Sequence, residues 1–288
     1  MRRRRTEDGE LSRLARLVRE HDRDRFLTAL FAPADRRESL LALYAFNYEV
    51  AKTREMVSEP MLGRMRLQWW RDSIAAIYDG TPVRRHEVVE PLAQAIRANR
   101  LTRVHFDRLI NAREADLDDA PPADLAALEA YAEASSVPLV LLALEVLGVR
   151  DEMAASAGRA IGIAFALAGL LRAAPFHARA HRAYLPADLV AARGIELHRT
   201  LFELRPTPGL ADVAAAVAAR ARAHLDAART LRPQVPRAAL PALLPAVLAG
   251  RSLSALERAG YDVLAPRLAR PDGGKAWRLA FAATFGRY

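Results

Sequence analysis

Residues 36–55 read RRESLLALYAFNYEVAKTRE, and residues 160–173 read AIGIAFALAGLLRA. At about 100° per residue, Tyr44, Tyr48, Ala51 and Glu55 fall on one face of a helix, at i, i+4, i+7 and i+11. The second stretch puts Gly162, Ala166, Gly169 and Ala173 on one face in the same way. Small residues in a row either let a neighbouring helix approach closely or leave room for a ligand between helices. Outward from these stretches the period stays helical. Leu11, Leu14, Leu17 and Val18 repeat at three- and four-residue steps, as do Leu67, Trp70, Ile74, Ile77 and Tyr78. Alanine and leucine dominate, and both favour helix.

The breaks agree with that reading. Pro33 and Asp35 precede a helix over 36–56, and Gly80-Thr-Pro82 ends another. Pro121-Pro122 with Asp124 as N-cap opens a helix containing Tyr131. Pro206, Pro208 and Gly209 precede a long helix over 210–231, and prolines 233, 236, 241 and 245 mark a turn-rich, apolar connection. No repeat and no Gly/Ser-rich hinge divides the chain. The expected fold is all-α, in one bundle: a basic segment and first helix over 1–24, the main helical domain over 25–270, and a short aromatic helix over 271–288.

Composition narrows the partners. The 288 residues carry 43 Lys+Arg against 34 Asp+Glu, a formal net charge of +9, and only Lys52 and Lys275 are lysines. Guanidinium stays charged when buried and grips phosphates and carboxylates with two donors, so anionic partners are favoured. Cysteine is absent, which excludes disulfides, thiolate metal sites and cysteine nucleophiles. The longest apolar run, Ala160–Leu171, falls short of the roughly 20 residues a span needs, so no crossing of a bilayer is expected. Arg2–Arg5 is followed by Glu7, Asp8 and Glu10 and is read as a solvated tail, not a secretory signal.

Several motifs together resemble the squalene/phytoene synthase family. They are Tyr44-Ala-Phe46, Trp70-Arg71 with Ile77-Tyr78-Asp-Gly-Thr-Pro82, and Leu170-Leu-Arg172 followed by Tyr184-Leu-Pro186. The resemblance runs from about residue 25 to 268. It implies an isoprenoid-synthase-like bundle with a central cavity, and an activity joining two prenyl diphosphates head to head. In that chemistry Mg²⁺ is held by aspartate-rich motifs on two facing helices. At the matching positions this chain has Ala51, Lys52 and Glu55, then Ala173 and His177, so Glu55 alone keeps a carboxylate. Pro175 is expected to end or kink the second motif's helix. Alanine offers Mg²⁺ no oxygen ligand. A lysine 4 Å from a divalent ion repels it by about 2 kcal/mol even in water-like dielectric.

Leu67-Gln-Trp-Trp-Arg71 and Leu170–His177 (LLRAAPFH) resemble a degenerate branch of the family, which includes mitochondrial assembly factors for respiratory complex I. The leading expectation is therefore a non-catalytic member of the family, a pseudoenzyme without resident cofactor that assists complex I assembly. It would bind a protein partner such as complex I subunits, with an isoprenoid or anionic lipid in the cavity. The alternative is an active prenyl-diphosphate transferase using Mg²⁺, with Glu49, Glu55 and Glu114–Asp119 as unusual ligands.

The residues expected to line the cavity or bind an anion are Tyr44, Tyr48, Lys52, Arg54, Trp70, Arg71, Arg172, Arg179, Arg182 and Tyr184. For Tyr44 and Tyr48 a core position is equally open, and Trp70 at helical spacing with Ile74 and Ile77 reads as core. His177 and His181 lack a third ligand at a fitting spacing, so no metal site is assigned. Glu114, Asp116, Asp118 and Asp119 read as a solvated helix boundary. Trp277, Phe281 and Phe285 recur every fourth residue beside Lys275, Arg278 and Arg287. That stripe could lie in a membrane interface or dock on the bundle. No nucleic-acid-binding motif occurs. The expected location is cytoplasmic, with peripheral contact on the inner membrane face.

Overall fold

Capping and composition explain where the helices begin. The computed structural model describes residues 11–269 and 273–288, so the Arg2–Arg5 run lies outside the described residues. Five helices form the first half: α1 (Arg13–His21), α2 (Arg23–Ala29), α3 (Ala34–Ala51), α4 (Pro60–Tyr78) and α5 (Val89–Asn99). Then come α6 (Arg103–Ala112), α7 (Leu125–Val146), α8 (Glu152–Arg179), α9 (Ala187–Ala192) and α10 (Pro208–Leu231). Last are α11 (Leu240–Leu243), α12 (Pro245–Arg258) and α13 (Lys275–Thr284). No strand occurs among the described residues. Asp124 caps α7 by accepting from the Ala127 N–H at 2.7 Å, as the sequence predicts, and Asp151 does the same for α8 at Ala154. Thr207 caps α10 with Pro208 in the first turn.

The centre of the bundle is α8, which packs on α7, α10 and α12, while α3 packs on α1, α5 and α7. Its small-residue stripe divides. A Cβ at Gly162 would stand 3.1 Å from the Val137 Cα, and one at Gly158 would press on Val140 and Leu144, so this half closes on α7. A Cβ at Gly169 would meet nothing within 4 Å. Packing and open space therefore both occur along one stripe.

Two expectations are corrected. Pro175 does not end α8, which continues to Arg179. A mid-helix proline costs about 3 kcal/mol. Here it sits one turn from the end of a 28-residue helix held along its length by three neighbours, whose packing outweighs that cost. And α7 and α8 are both long and apolar enough to cross a membrane by length and composition, although no run of uninterrupted apolar residues announced it. In the fold, 50% of the apolar window of α7 and 61% of that of α8 are buried against other helices. Their apolar surface forms the core.

An aromatic group fixes the other side of α3. Phe46 meets Trp70 edge-on at 5.3 Å and Phe106 at 5.4 Å. Trp70 is 1% exposed, which makes it a core residue and removes it from the expected cavity lining. Tyr44 is buried too, and burial pushes its hydroxyl pKa up to about 12.

Candidate functional site

Two polar regions flank the end of the bundle where α3 and α8 finish. The first is built on Asp116. A short 3-10 turn, Ala115–Leu117, carries Asp116 and Leu117 inward, and Asp116 is only 5% exposed. The Tyr131 and Tyr184 hydroxyls donate to its Oδ1 at 2.7 and 2.8 Å, while Arg113 donates to Oδ2 at 3.2 Å. Arg182 stands 4.0 Å away. A buried carboxylate needs such company to stay charged. Burial works against the charge of Arg113, yet Tyr131 and Asp116 beside it raise its pKa. Burial pushes Tyr131 up to about 12 and Tyr184 higher still.

The reading of Glu114, Asp116, Asp118 and Asp119 as a solvated boundary is corrected for Asp116 alone. The turn buries Asp116 and Leu117 and leaves Glu114, Asp118 and Asp119 facing solvent. Arg113 three residues before Asp116, together with Leu117, was the signal available in the sequence. Asp119 bridges the two motif regions, accepting from Arg54 after α3 at 3.3 Å and lying 3.9 Å from Arg182 after α8. The Leu117 side chain meanwhile presses on Gly63 of α4, where a Cβ would overlap it.

At the end of α3, Glu49 is buried and both its oxygens face cations: Lys52 Nζ at 2.6 Å and Arg66 Nη2 at 2.9 Å. Lys52 also lies 4.7 Å from the Tyr48 ring centroid. Glu55 is exposed, and Ala51 and Ala173 contribute no ligand atom. His177 packs at 4.7 Å against the Tyr184 ring. Burial, reinforced by Arg182 and partly opposed by Asp116, lowers its pKa to about 4, so it is neutral at pH 7.

A depressed histidine pKa stabilises the fold above its unfolded value of 6.5, and that contribution disappears as pH falls through about 4. After discounting for its partial exposure the effect is about 2 kcal/mol. Wild type is therefore expected to lose more stability than His177→Gln between pH 7 and pH 4 in urea titrations. Parallel losses in the two proteins would refute this role of His177.

The second region is a cleft of about 690 Å³ between the α1–α2 junction, α8 and α12. Leu171, Leu248 and Leu256 are among its apolar residues, and Arg23, Arg172, Arg251, Arg258, Arg267 and Lys275 make its border cationic. Asp24 is buried beneath, accepting from Arg172 at 2.9 Å and from Lys275 at 2.6 Å. Burial alone would raise its pKa, but Arg172 and Lys275 outweigh burial and hold it below the usual carboxylate value. His21 at the rim stacks on Tyr48 at 4.2 Å. An apolar lining under a cationic rim suits an amphiphile with an anionic head.

The expected residues are thus distributed over separate places. Arg182, Tyr184 and, through Asp119, Arg54 meet around Asp116. Tyr48 and Lys52 adjoin Glu49, while Arg172 belongs to the cleft at Asp24. Arg71 points outward to Asn111 and Glu114, and Arg179 is exposed at the end of α8. Asp24, Arg113 and Tyr131 were missed as site residues.

Comparison with known proteins identifies the family. The family description "Squalene/phytoene synthase" matches residues 18–273. The chain belongs to the squalene/phytoene synthase family. Among its relatives, the NADH dehydrogenase (ubiquinone) complex I assembly factor 6 of Bos taurus is 34% identical over 256 residues, covering 89% of this chain and 76% of that one. The Homo sapiens protein of the same description is 33% identical, covering 88% and 75%. Presqualene diphosphate synthase of Rhodopseudomonas palustris is 28% identical, covering 71% and 72%. Several solved structures share the fold. Squalene synthase HpnC from Alicyclobacillus acidocaldarius has a TM-score of 0.75 at 24% identity, covering 86% of this chain and 93% of that one. A dehydrosqualene synthase in complex with ligand has 0.81 at 17%, covering 94% of each.

Proposed function

We propose that this family member is a non-catalytic protein that assists assembly of respiratory complex I by binding its subunits, with an isoprenoid or anionic lipid held in the cationic cleft. The relatives named as assembly factors support the assembly role. The observation that carries the non-catalytic part is the state of the carboxylates. Mg²⁺ needs several oxygen ligands beside the substrate phosphates. Glu49 already faces Lys52 and Arg66, Asp116 is taken by two tyrosines and Arg113, and Asp119 adjoins Arg54 and Arg182. Ala51 and Ala173 supply nothing, and neutral His177 is packed against Tyr184. The residues present do not fit a magnesium cluster. Fixed internal cations stand beside the carboxylates, and they can bind an anionic head without ionising it, since ionisation needs charge stabilisation centred on the leaving group.

Of α8 the cleft takes Ala168, Leu171 and Arg172, and not Gly169, Ala173 or His177. The deciding experiment is in-cell cross-linking and purification of the full chain from its native host, paired with an assay of the purified protein on farnesyl diphosphate and Mg²⁺. The expected result is co-purification of complex I subunits and no magnesium-dependent release of diphosphate. Recovery of no respiratory-chain subunit, together with turnover, would replace this reading by that of an active head-to-head prenyl transferase.

A further inference from the structure

Helix α13 buries Leu279 and Ala282 against the bundle and leaves its opposite face uncovered. On that face Trp277 is 81% exposed, and Phe281 and Phe285 are each 59% exposed. The two phenylalanine rings lie 4.5 Å apart, so the stripe is continuous at its end. The sequence left membrane contact and docking on the bundle as alternatives, and the fold uses one face of the helix for docking and leaves the other free. Two exposed aromatics on the ten residues of α13 and a third at its C-cap are far more than scattered surface apolars require.

Beside this stripe runs a groove of about 700 Å³ between α13, α10 and α12, with Trp277 and Phe281 in its wall. Seven arginines line it, including Arg229, Arg232, Arg258, Arg278 and Arg287, against one carboxylate, Asp226. Asp226 is engaged by Arg229 at 2.7 Å. Arginine beside tryptophan and phenylalanine is the composition that sits at a lipid headgroup boundary. The rings enter the interface and the guanidinium groups meet phosphates.

We propose that the α13 stripe and its arginine groove form a docking surface for an anionic phospholipid bilayer. Charge complementarity selects that occupant. Arg222 pairs with Glu257 and Arg229 with Asp226, and the groove keeps an excess of positive charge at Arg258, Arg278 and Arg287. A protein partner would need an acidic surface matched to it, whereas an anionic leaflet presents such charge everywhere. The contact is peripheral, since α13 has ten residues and a span needs about 20. It shares Arg251 and Arg258 with the cleft at Asp24 but requires neither a ligand there nor the assembly reading.

The test is co-sedimentation of the full chain with vesicles of phosphatidylcholine containing about 30% phosphatidylglycerol, against pure phosphatidylcholine. Binding is expected to be at least about tenfold stronger to the anionic vesicles, and to weaken as salt rises. The triple variant Trp277→Ala, Phe281→Ala, Phe285→Ala is expected to lose about tenfold or more while keeping wild-type circular dichroism, because these side chains are exposed. Arg278→Glu with Arg287→Glu reads the charge separately and is expected to lower binding to anionic vesicles only. Equal binding to both vesicle types, absence of binding, or wild-type binding by the folded triple variant would each overturn the proposal.

Discussion

Replacing Asp116 by alanine is expected to lower the free energy of unfolding by about 3–4 kcal/mol, read as a reduced midpoint in urea at pH 7. The size comes from what remains behind. Asp116 is buried among Tyr131, Tyr184 and Arg113, and its loss leaves a buried guanidinium without its carboxylate and two hydroxyls without their acceptor. A lone hydrogen bond is worth only about 1 kcal/mol, so Tyr131→Phe or Tyr184→Phe should each cost about that much. The contrast separates an ion-pair centre from ordinary hydrogen bonding. A loss below about 1 kcal/mol for Asp116→Ala would show that Arg113 finds solvent or another partner, and would sink this account of the cluster.

Truncating Trp70 should do comparable damage for a different reason. Trp70→Ala is expected to cost about 3–5 kcal/mol, because the indole is fully enclosed and Phe46, Trp69 and His86 surround it. Trp70→Phe should retain more than half of that stability, since most of the apolar volume is kept. Trp69, only partly buried beside Arg84 at 5.4 Å, should tolerate alanine with a smaller loss. If the two tryptophans prove equally costly, the core assignment of Trp70 fails. Thermal or urea unfolding of the three variants decides the matter.

Much of the fold was legible along the chain because helices announce themselves locally. Asp124 before Leu125 and Pro208 after Thr207 mark helix starts whatever surrounds them. The periodicity of Leu67, Trp70, Ile74 and Ile77 likewise says which face of α4 turns inward, and all four are buried. Pro175 shows where such local signals stop. Its effect depended on how firmly neighbours held α8, and nothing in residues 170–177 describes those neighbours. The apolar content of α7 and α8 is similarly ambiguous in one dimension, because a bundle core and a lipid core both accept it.

The residues that define the candidate site were less readable. Asp24 and Asp116 look like the many solvated acids of this chain, and only folding places Arg172, 148 residues away, and Lys275, 251 residues away, on Asp24. Helical class, the order of the motifs that resemble the family, and the residues Ala51, Lys52, Ala173 and His177 are read from residue identity and spacing alone, since these are properties of short segments. Which acids carry a cation, which half of the glycine stripe stays open and which face of α13 remains bare depend on long-range contacts. Charge pairing and desolvation act through space, so those features take shape only once distant segments have been packed together.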